Sequence, residues 1–189
     1  MATVTSPKLL TAEEYLLLPE PDRPTELVRG EIVELSPPGF RHGKVSGRIF
    51  RLLDEYAEAN DCGHVTSNDS GVITEREPDT VRGADVAYFS YARLAKDEEP
   101  EGYPEVAPDL VFEVLSPSNR WPQLLVKVAE YLQAGVSVVV VVDPKANQFH
   151  VYRTADAGEP VSVLNASDAF KLPDILPGFS MPVGKLIRR

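Results

Sequence analysis

The spacing of hydrophobic and polar residues divides the chain into two amphipathic helices and several short strands. Apolar residues recur every three or four positions at about 43–60 and again at about 121–134, which predicts two long helices that each bury one face. Nearly continuous apolar runs at 109–115 and 136–143 predict strands buried on both faces. Because the second helix lies between these runs, 109–143 is predicted to form a βαβ unit with a right-handed crossover.

Shorter elements surround this unit. Thr11 and Glu14 have the spacing of a capping box and predict a short first helix. The apolar residues on either side of Arg29-Gly30 predict a hairpin within 26–35. Further short strands are predicted at 64–67, 71–74, 84–89 and 148–153. The sum is an α/β fold of the mixed α+β kind, in which helices flank a mixed central sheet and a hairpin extends the N-terminal side.

Length and composition indicate one domain spanning 1–189, with a core at about 40–153, an N-terminal helix and hairpin at 11–35 and a C-terminal tail at 154–189. An apolar fraction of 43% excludes a disordered chain. A single cysteine, Cys62, excludes an internal disulfide and a cysteine-rich zinc site. Since no apolar stretch is long enough to span a bilayer, we expect a cytoplasmic protein without a membrane partner.

Charge bears on the choice of partner. The chain has 19 basic and 29 acidic residues, so its net charge of −10 opposes long-range attraction of nucleic acid. Nucleic-acid binding would therefore depend on a local site. The first long helix has a basic side formed by Arg41, Lys44, Arg48 and Arg51. Lys44 and Arg48 are candidate contacts to a phosphate backbone, although basic helix faces are more often only solvated.

Three ionisable residues stand where the apolar pattern does not favour them. Glu113 interrupts the run at 109–115, and a buried carboxylate costs several kcal/mol unless it is paired or bound to metal. Asp85 lies near the start of another predicted strand; two carboxylates at one sheet edge repel, and a divalent cation stabilises such a pair. At about 100° per residue, Lys127 borders the apolar stripe of the second helix, from which its ammonium can reach that edge.

Each of the three also has a purely structural interpretation. Glu113 can lie near a strand end and pair with a basic neighbour, and Asp85 can be a turn residue that begins a strand. Lys127 can cover apolar surface with its stem while its ammonium stays in water. A buried ion pair between Glu113 and Lys127, without any catalysis, is a further alternative.

Three more residues are secondary candidates. His42, near the start of the first long helix, can contact a substrate phosphate or transfer a proton, but a capping or core role is the more common one for such a histidine. Glu26 and Glu31 flank the hairpin turn, and each either enters an acidic site or is solvated. No glycine-rich phosphate loop and no GxSxG nucleophile motif is present.

Six segments together carry a family resemblance. In chain order they read ELVRGEI from Glu26, RHGK from Arg41, RGADVA from Arg82, PDLVFEVLSPS from Pro108, KVAEYLQAGV from Lys127 and VDP from Val142. With these segments the chain resembles the Uma-type family of bacterial endonucleases, over about 10–183. That family belongs to the PD-(D/E)XK, restriction-endonuclease-like superfamily.

The resemblance implies a metal-dependent endonuclease that hydrolyses phosphodiester bonds of nucleic acid, with DNA as the expected substrate. It implies that Asp85, Glu113 and the backbone carbonyl of Val114 bind Mg²⁺ or Mn²⁺. The resemblance further implies that Lys127, on the following helix, takes the place of the motif lysine; in the superfamily's usual pattern that lysine stands two residues after the acid, where this sequence has Leu115. Many superfamily members act as pairs, which implies a homodimer.

The sequence departs from the family pattern at three positions. Ala84 stands where the motif has proline, and Asn119 and Gln123 stand where relatives commonly have acids. Gln123 lies one helical turn before Lys127 and is therefore a candidate site-lining residue that lacks the usual charge. These departures keep open a second hypothesis, in which the protein is a catalytically inert nuclease-fold module that acts through protein–protein contacts.

Overall fold

The computed structural model describes residues 8–116, 121–153 and 162–187. The helices are α1 (Ala12–Leu16), α2 (Phe40–Asn60), α3 (Trp121–Gln133) and α4 (Val183–Ile187). The strands of the main sheet are β1 (Thr25–Val28), β2 (Glu31–Glu34), β3 (Gly63–Glu75), β4 (Thr80–Ser90), β5 (Leu110–Val114), β6 (Val138–Asp143), β7 (Gln148–Arg153) and β8 (Ser162–Leu164). A small second sheet pairs β9 (Ala169–Phe170) with β10 (Met181–Pro182).

The main sheet is mixed and has the order β2-β1-β4-β5-β6-β7-β8, while β3 pairs with the other edge of β4. Among the strands that the structure describes, only β5 and β6 pair in parallel, and α3 connects them. This is the predicted βαβ unit. The expected fold class, a mixed sheet flanked by helices with an N-terminal hairpin, is confirmed.

Two sequence predictions were too short. The strands predicted at 64–67 and 71–74 form one continuous strand, β3, whose register shifts at a bulge between Ser67 and Ser70. The bulge residues Asn68 and Asp69 have positive φ angles, a conformation that asparagine and aspartate tolerate better than most residues. β4 also begins four residues before the predicted 84–89, because its polar first half pairs with β3.

The face of the sheet under α2 carries a large apolar cluster. Val45, Ile49 and Leu53 form the buried stripe of α2 and pack in one cluster with strand residues such as Phe112. The C-terminal segment 162–187 completes this cluster with Phe170, Leu172, Leu176, Phe179, Met181, Val183, Leu186 and Ile187. The turn-rich tail expected from the sequence therefore supplies a large share of the core on this side.

The opposite face of the sheet is covered by α3. Leu124, Val128 and Tyr131 pack against the valines of β5 and β6 that point to this side. In the residues described, no helix combines the length and apolar character needed to cross a bilayer.

The sheet has a gap beside β4. On one edge, β4 pairs with β1 at Val81 and with β5 from Val86 onward. Residues 82–85 therefore have no backbone partner on that edge in the described part of the chain, since β1 and β5 diverge here. Buried backbone groups need hydrogen-bond partners, so side chains must pair with the groups that the ladder leaves open.

Candidate active site

A cleft of about 590 Å³ opens over this gap. The β1–β2 hairpin forms one wall, and the first turns of α3 form the other. Asp85, Glu113 and Lys127 lie together among the residues that line it. The structure thus brings to one place the three side chains that the sequence singled out.

Asp85 lies where the β4–β5 ladder ends. The last paired residues are Val86 and Phe112, and the next pair in this register is Asp85 opposite Glu113. Instead of a ladder bond, the amide N–H of Val114 donates to Asp85 Oδ2 at 2.5 Å. The N–H and C=O of one strand residue point to the same neighbour, so the Val114 carbonyl also faces this gap.

His42 approaches Asp85 from the N-terminal turn of α2. Its Nε2 lies 3.0 Å from Asp85 Oδ2. Burial opposes the imidazolium, but the hydrogen bond and the charge of Asp85 outweigh it, so the pKa of His42 is raised. His42 Nδ1 is buried and has no hydrogen-bond partner. The histidine therefore lines the cleft and contacts the Asp85 carboxylate, while the N-cap residue of α2 is Gly39.

Glu113 is buried among polar partners, with only 4% of its surface exposed. Tyr131 donates its hydroxyl hydrogen to Glu113 Oε1 at 2.8 Å, and Lys127 Nζ lies 3.0 Å from the same oxygen. Burial raises the pKa of Glu113 to about 7, and the charge of Asp85 adds to this, against the lowering effect of Lys127. The carboxyl group is thus poised between its neutral and charged forms near neutral pH.

Lys127 has three partners, one for each N–H of its ammonium group. Nζ lies 2.9 Å from Glu26 Oε1, 2.9 Å from the Gly83 carbonyl oxygen and 3.0 Å from Glu113 Oε1. The Gly83 carbonyl is one of the backbone groups that the gap leaves unpaired. Burial opposes the charge on Lys127, but the neighbouring carboxylates outweigh it and raise its pKa.

Glu26 connects the site to a second basic residue. Its Oε1 accepts from the Gly83 amide at 3.0 Å, and its Oε2 lies 2.8 Å from Arg82. Arg82 in turn donates two hydrogen bonds, of 2.6 and 2.9 Å, to Glu130 of α3. Burial would raise the pKa of Glu26, but Lys127 and Arg82 lower it below its usual range. Glu26 was a candidate; Arg82 and Glu130 were not, because their partners lie 48 or more residues apart in the chain.

Asp69 is a further carboxylate that the sequence analysis missed. The bulge in β3 places it in the cleft, where burial and the charge of Asp85 raise its pKa. Gly83 permits this approach, since a Cβ there would lie 2.9 Å from the Asp69 Cβ. The one sequence signal is the turn-like Asn68-Asp69-Ser70, which lies between the strands predicted at 64–67 and 71–74.

Of the other residues that the sequence marked as candidates, some line the cleft and some lie away from it. Gln123 lines the cleft, whereas Glu31 is exposed beside the hairpin turn and is not among the lining residues. Lys44 is exposed on α2. Arg48 donates to the Leu186 carbonyl at 3.1 Å and so contacts α4.

Asn119 lies outside the described residues, so the structure bears on only some of the departures from the family pattern. The other two basic residues of α2, Arg41 and Arg51, also have partners. Arg41 donates to the Pro144 carbonyl, and Arg51 pairs with Glu55.

The donor set fits a hard divalent cation. Asp85 and Glu113 are buried carboxylates on adjacent strands, and the charge of the first raises the pKa of the second. Over the described ranges, no three His, Cys, Asp or Glu side chains are arranged to hold a metal ion. Mg²⁺ commonly takes only one or two carboxylates and keeps several waters, so two carboxylates with the Val114 carbonyl suit it.

Comparisons with known proteins agree with this fold. The family described as Uma2, putative restriction endonuclease, matches residues 12–184. The chain is also similar to the crystal structure of a putative nuclease belonging to DUF820 from Anabaena variabilis ATCC 29413, with a TM-score of 0.78 and 18% identity over 94% of this chain and 97% of that one. At this identity the structural likeness shows the fold alone. No curated protein matches the sequence.

Proposed function

This chain belongs to the Uma2 family of restriction-endonuclease-like proteins, and from that premise we propose that it is a nuclease that hydrolyses phosphodiester bonds of DNA with the help of Mg²⁺ or Mn²⁺. Asp85 and Glu113 are the carboxylate ligands of the cation, and Lys127 is the residue beside them that orients the attacking water or stabilises the developing negative charge. The membership supports nuclease chemistry; the cation and the DNA substrate are our inference from the site.

One observation carries the proposal: two carboxylates and an ammonium group are buried together at a break in the sheet. Removing charges from water costs several kcal/mol per ion, and apolar residues of similar volume would often be more stable there. The apolar clusters on both faces already supply a core. Buried charged groups gathered in a cleft are typical of a catalytic site.

A cation held by Asp85 and Glu113 would polarise the phosphoryl oxygens and lower the pKa of a coordinated water. The protein's residues prepare this site. The Val114 amide and His42 fix Asp85, while Tyr131 orients Glu113. Lys127 lies beside Glu113, where its positive charge can orient the attacking water and stabilise the negative charge that develops on the phosphate.

A net charge of −10 opposes the attraction of nucleic acid over long distances, so binding must depend on contacts at the cleft itself. Five of the residues that line the cleft are carboxylates: Glu26, Glu34, Asp69, Asp85 and Glu113. A divalent cation offsets part of this charge where a phosphate must enter.

We further propose that two chains act as a homodimer, since cutting both strands of a duplex takes two such sites; sedimentation equilibrium tests this.

The direct test is cleavage of supercoiled plasmid in Mn²⁺ or Mg²⁺. Glu113→Gln keeps an acceptor for the Tyr131 hydroxyl but removes the charge that binds the cation. We expect the wild-type protein to nick the plasmid and the variant to lose about a thousandfold in rate, the upper range for a single electrostatic group in an active site. Glu105→Gln, an exposed carboxylate that pairs with Arg76, is the matched control and should cleave normally. Equal rates for wild type and Glu113→Gln would contradict the mechanism.

A second function has one specific observation in its favour. All three N–H groups of Lys127 already have protein partners, as they would in a purely structural ion pair. On that hypothesis the protein is an inert nuclease-fold module that binds other proteins. It predicts no cleavage and no stabilisation by divalent cations, whereas the nuclease predicts both.

A further inference from the structure

Lys127 faces a conflict if the proposed metal site is correct. In the structure, Glu113 supplies one of the three partners of its ammonium group. A cation bound by Glu113 competes with Lys127 for the same two carboxylate oxygens. The ammonium then loses a partner and needs other groups to keep it in the cleft. Lysine is a flexible side chain, and holding it in one place costs rotamer entropy.

We propose that Glu26, itself fixed by Arg82, is the positioning residue that keeps the Lys127 ammonium in the site once Glu113 has bound a cation. This rests on the proposed function, because it takes Glu113 to be a cation ligand. Glu26 and the Gly83 carbonyl, both 2.9 Å from Nζ, retain two of the three N–H groups. The third N–H is released and points into the cleft, where a substrate phosphate or water would lie.

Glu26 suits this role because both of its oxygens are fixed. Oε1 accepts from the Gly83 amide, and Oε2 pairs with Arg82. Only 3% of the residue is exposed, so water does not compete for these bonds. A carboxylate held on both oxygens offers Lys127 a partner whose position does not depend on the cation.

Arg82 fixes Glu26 relative to the helix that carries the lysine. Its guanidinium contacts Glu26 of β1 and donates two bonds to Glu130, which lies three residues after Lys127 on α3. The planar fork of arginine makes such two-point contacts more directional than a lysine would. Strand β1, strand β4 and helix α3 are thereby connected beside the ammonium group.

The experiment measures how reactive the Lys127 amine is, without nucleic acid. Wild-type protein and Glu26→Gln are each treated with trace acetylating reagent, with and without Mn²⁺. Mass spectrometry then gives the labelling of Lys127 relative to the exposed Lys44 of the same chain. Glu105→Gln is the matched control, since it neutralises an exposed carboxylate that pairs with Arg76, outside this network. Calorimetry on the same samples reports Mn²⁺ binding.

We expect Glu26→Gln with Mn²⁺ to label Lys127 about tenfold more than wild type with Mn²⁺, which corresponds to about 1.4 kcal/mol. Without Mn²⁺ the variant should resemble wild type, because Glu113 still holds the ammonium. Glu105→Gln should resemble wild type in both conditions. A merely structural role for Glu26 would raise the labelling equally with and without Mn²⁺, and that result overturns the inference.

Two further outcomes separate this inference from the proposed function. If Mn²⁺ binds to both proteins and labelling of Lys127 does not differ, Glu26 is not a positioning residue and the metal site stands. If Mn²⁺ does not bind the wild-type protein, the metal site fails and the inference fails with it. Glu26→Asp keeps the charge on a shorter side chain; it should restore most of the protection if Glu26→Gln folds poorly in a thermal melt.

Discussion

Two clusters of charged side chains, each centred on one arginine, differ in where they lie. The Arg76 cluster contains Arg76, Glu13, Asp79 and Glu105. The Arg82 cluster contains Arg82, Glu26, Glu130, Lys127 and Glu113. The side chain of Arg76 is 38% exposed, whereas that of Arg82 is 12% exposed.

The exposed cluster has a structural explanation. Asp79 accepts from the Ala12 amide at 2.7 Å and pairs with Arg76, so the cluster fastens the start of α1 to the β3–β4 turn. The buried cluster connects elements too, and Glu26 and Lys127 pair with the Gly83 amide and carbonyl, but its charges also line a cleft, where burial costs more in desolvation. The comparison teaches that similar ion-pair patterns differ in meaning with their place in the fold. On the proposed function, the charges beside the cleft serve catalysis, whereas those at the surface attach a helix.

The largest expected effect on stability comes from removing Lys127, a buried basic residue of the Arg82 cluster, in contrast to Arg76 of the exposed cluster. Lys127→Met leaves Glu26 and Glu113 without a buried cation partner and should cost about 3–5 kcal/mol in the free energy of unfolding. Arg76→Met breaks solvent-screened pairs and should cost about 1 kcal/mol or less. Urea unfolding measures both. Equal losses would remove the distinction between the clusters.

Divalent cations should stabilise the protein through one cluster only. At a free Mn²⁺ concentration a hundred times Kd, binding should add about 2.7 kcal/mol to the free energy of unfolding. For a chain of this size that raises Tm by about 5–10 °C. Asp85→Asn should abolish the rise. Asp79→Asn, in the Arg76 cluster, should lower Tm but keep the rise, and a rise that survives Asp85→Asn would place the cation elsewhere.

The raised pKa of Glu113 predicts how the buried cluster responds to pH. The pKa of Glu113 is about 7 in the folded protein, whereas its ordinary value, which applies to the unfolded chain, is 4.5. Between these two pH values the folded state therefore binds more protons than the unfolded state. Stability should therefore fall as pH rises from about 5 to 7, by up to about 1.4 kcal/mol per pH unit.

Cation affinity should change in the opposite direction, since only the ionised carboxylate binds. It should increase as pH rises and level off above about 7. Glu113→Gln supplies the control, and its pH profile of Tm should be flatter. If that profile matches wild type over pH 5–7, another group is responsible.

A smaller loss of stability than for Lys127→Met alone is expected for Glu113→Leu combined with Lys127→Met. Replacing both members of the pair leaves no unpaired charge between them, but the Gly83 carbonyl, Glu26 and the Tyr131 hydroxyl each lose a partner, so the free energy of unfolding should fall by about 1–3 kcal/mol. The double variant should nevertheless lose the response to Mn²⁺. If it is as unstable as Lys127→Met alone, the pair is itself needed for folding.

The sequence predicts the centre of the site well, for local reasons. Glu113 is visible as a charge inside an apolar run, and Lys127 by its position on the helix wheel. The sheet unit between them follows from hydrophobic periodicity. These signals each arise within one element, and the structure brings their side chains within 3.0 Å.

The rest depends on contacts between distant segments. Asp69 enters the cleft through a bulge, which pattern analysis reads as a gap between strands. Arg82 looks like any polar strand residue until β1 and α3 are placed around it. Glu31 and Glu26 are equivalent in the sequence, but only Glu26 faces the cleft, because Glu31 lies at the exposed turn.

The central claim is that Asp85 and Glu113 together bind a divalent cation. Diffraction from crystals soaked in Mn²⁺, with data collected for anomalous scattering, tests it most directly. The account predicts one strong peak between the two carboxylates, within bonding distance of both, with Lys127 displaced from Glu113 but still on Glu26. No peak in the cleft, with Lys127 unmoved and both carboxylates in their present contacts, would contradict it.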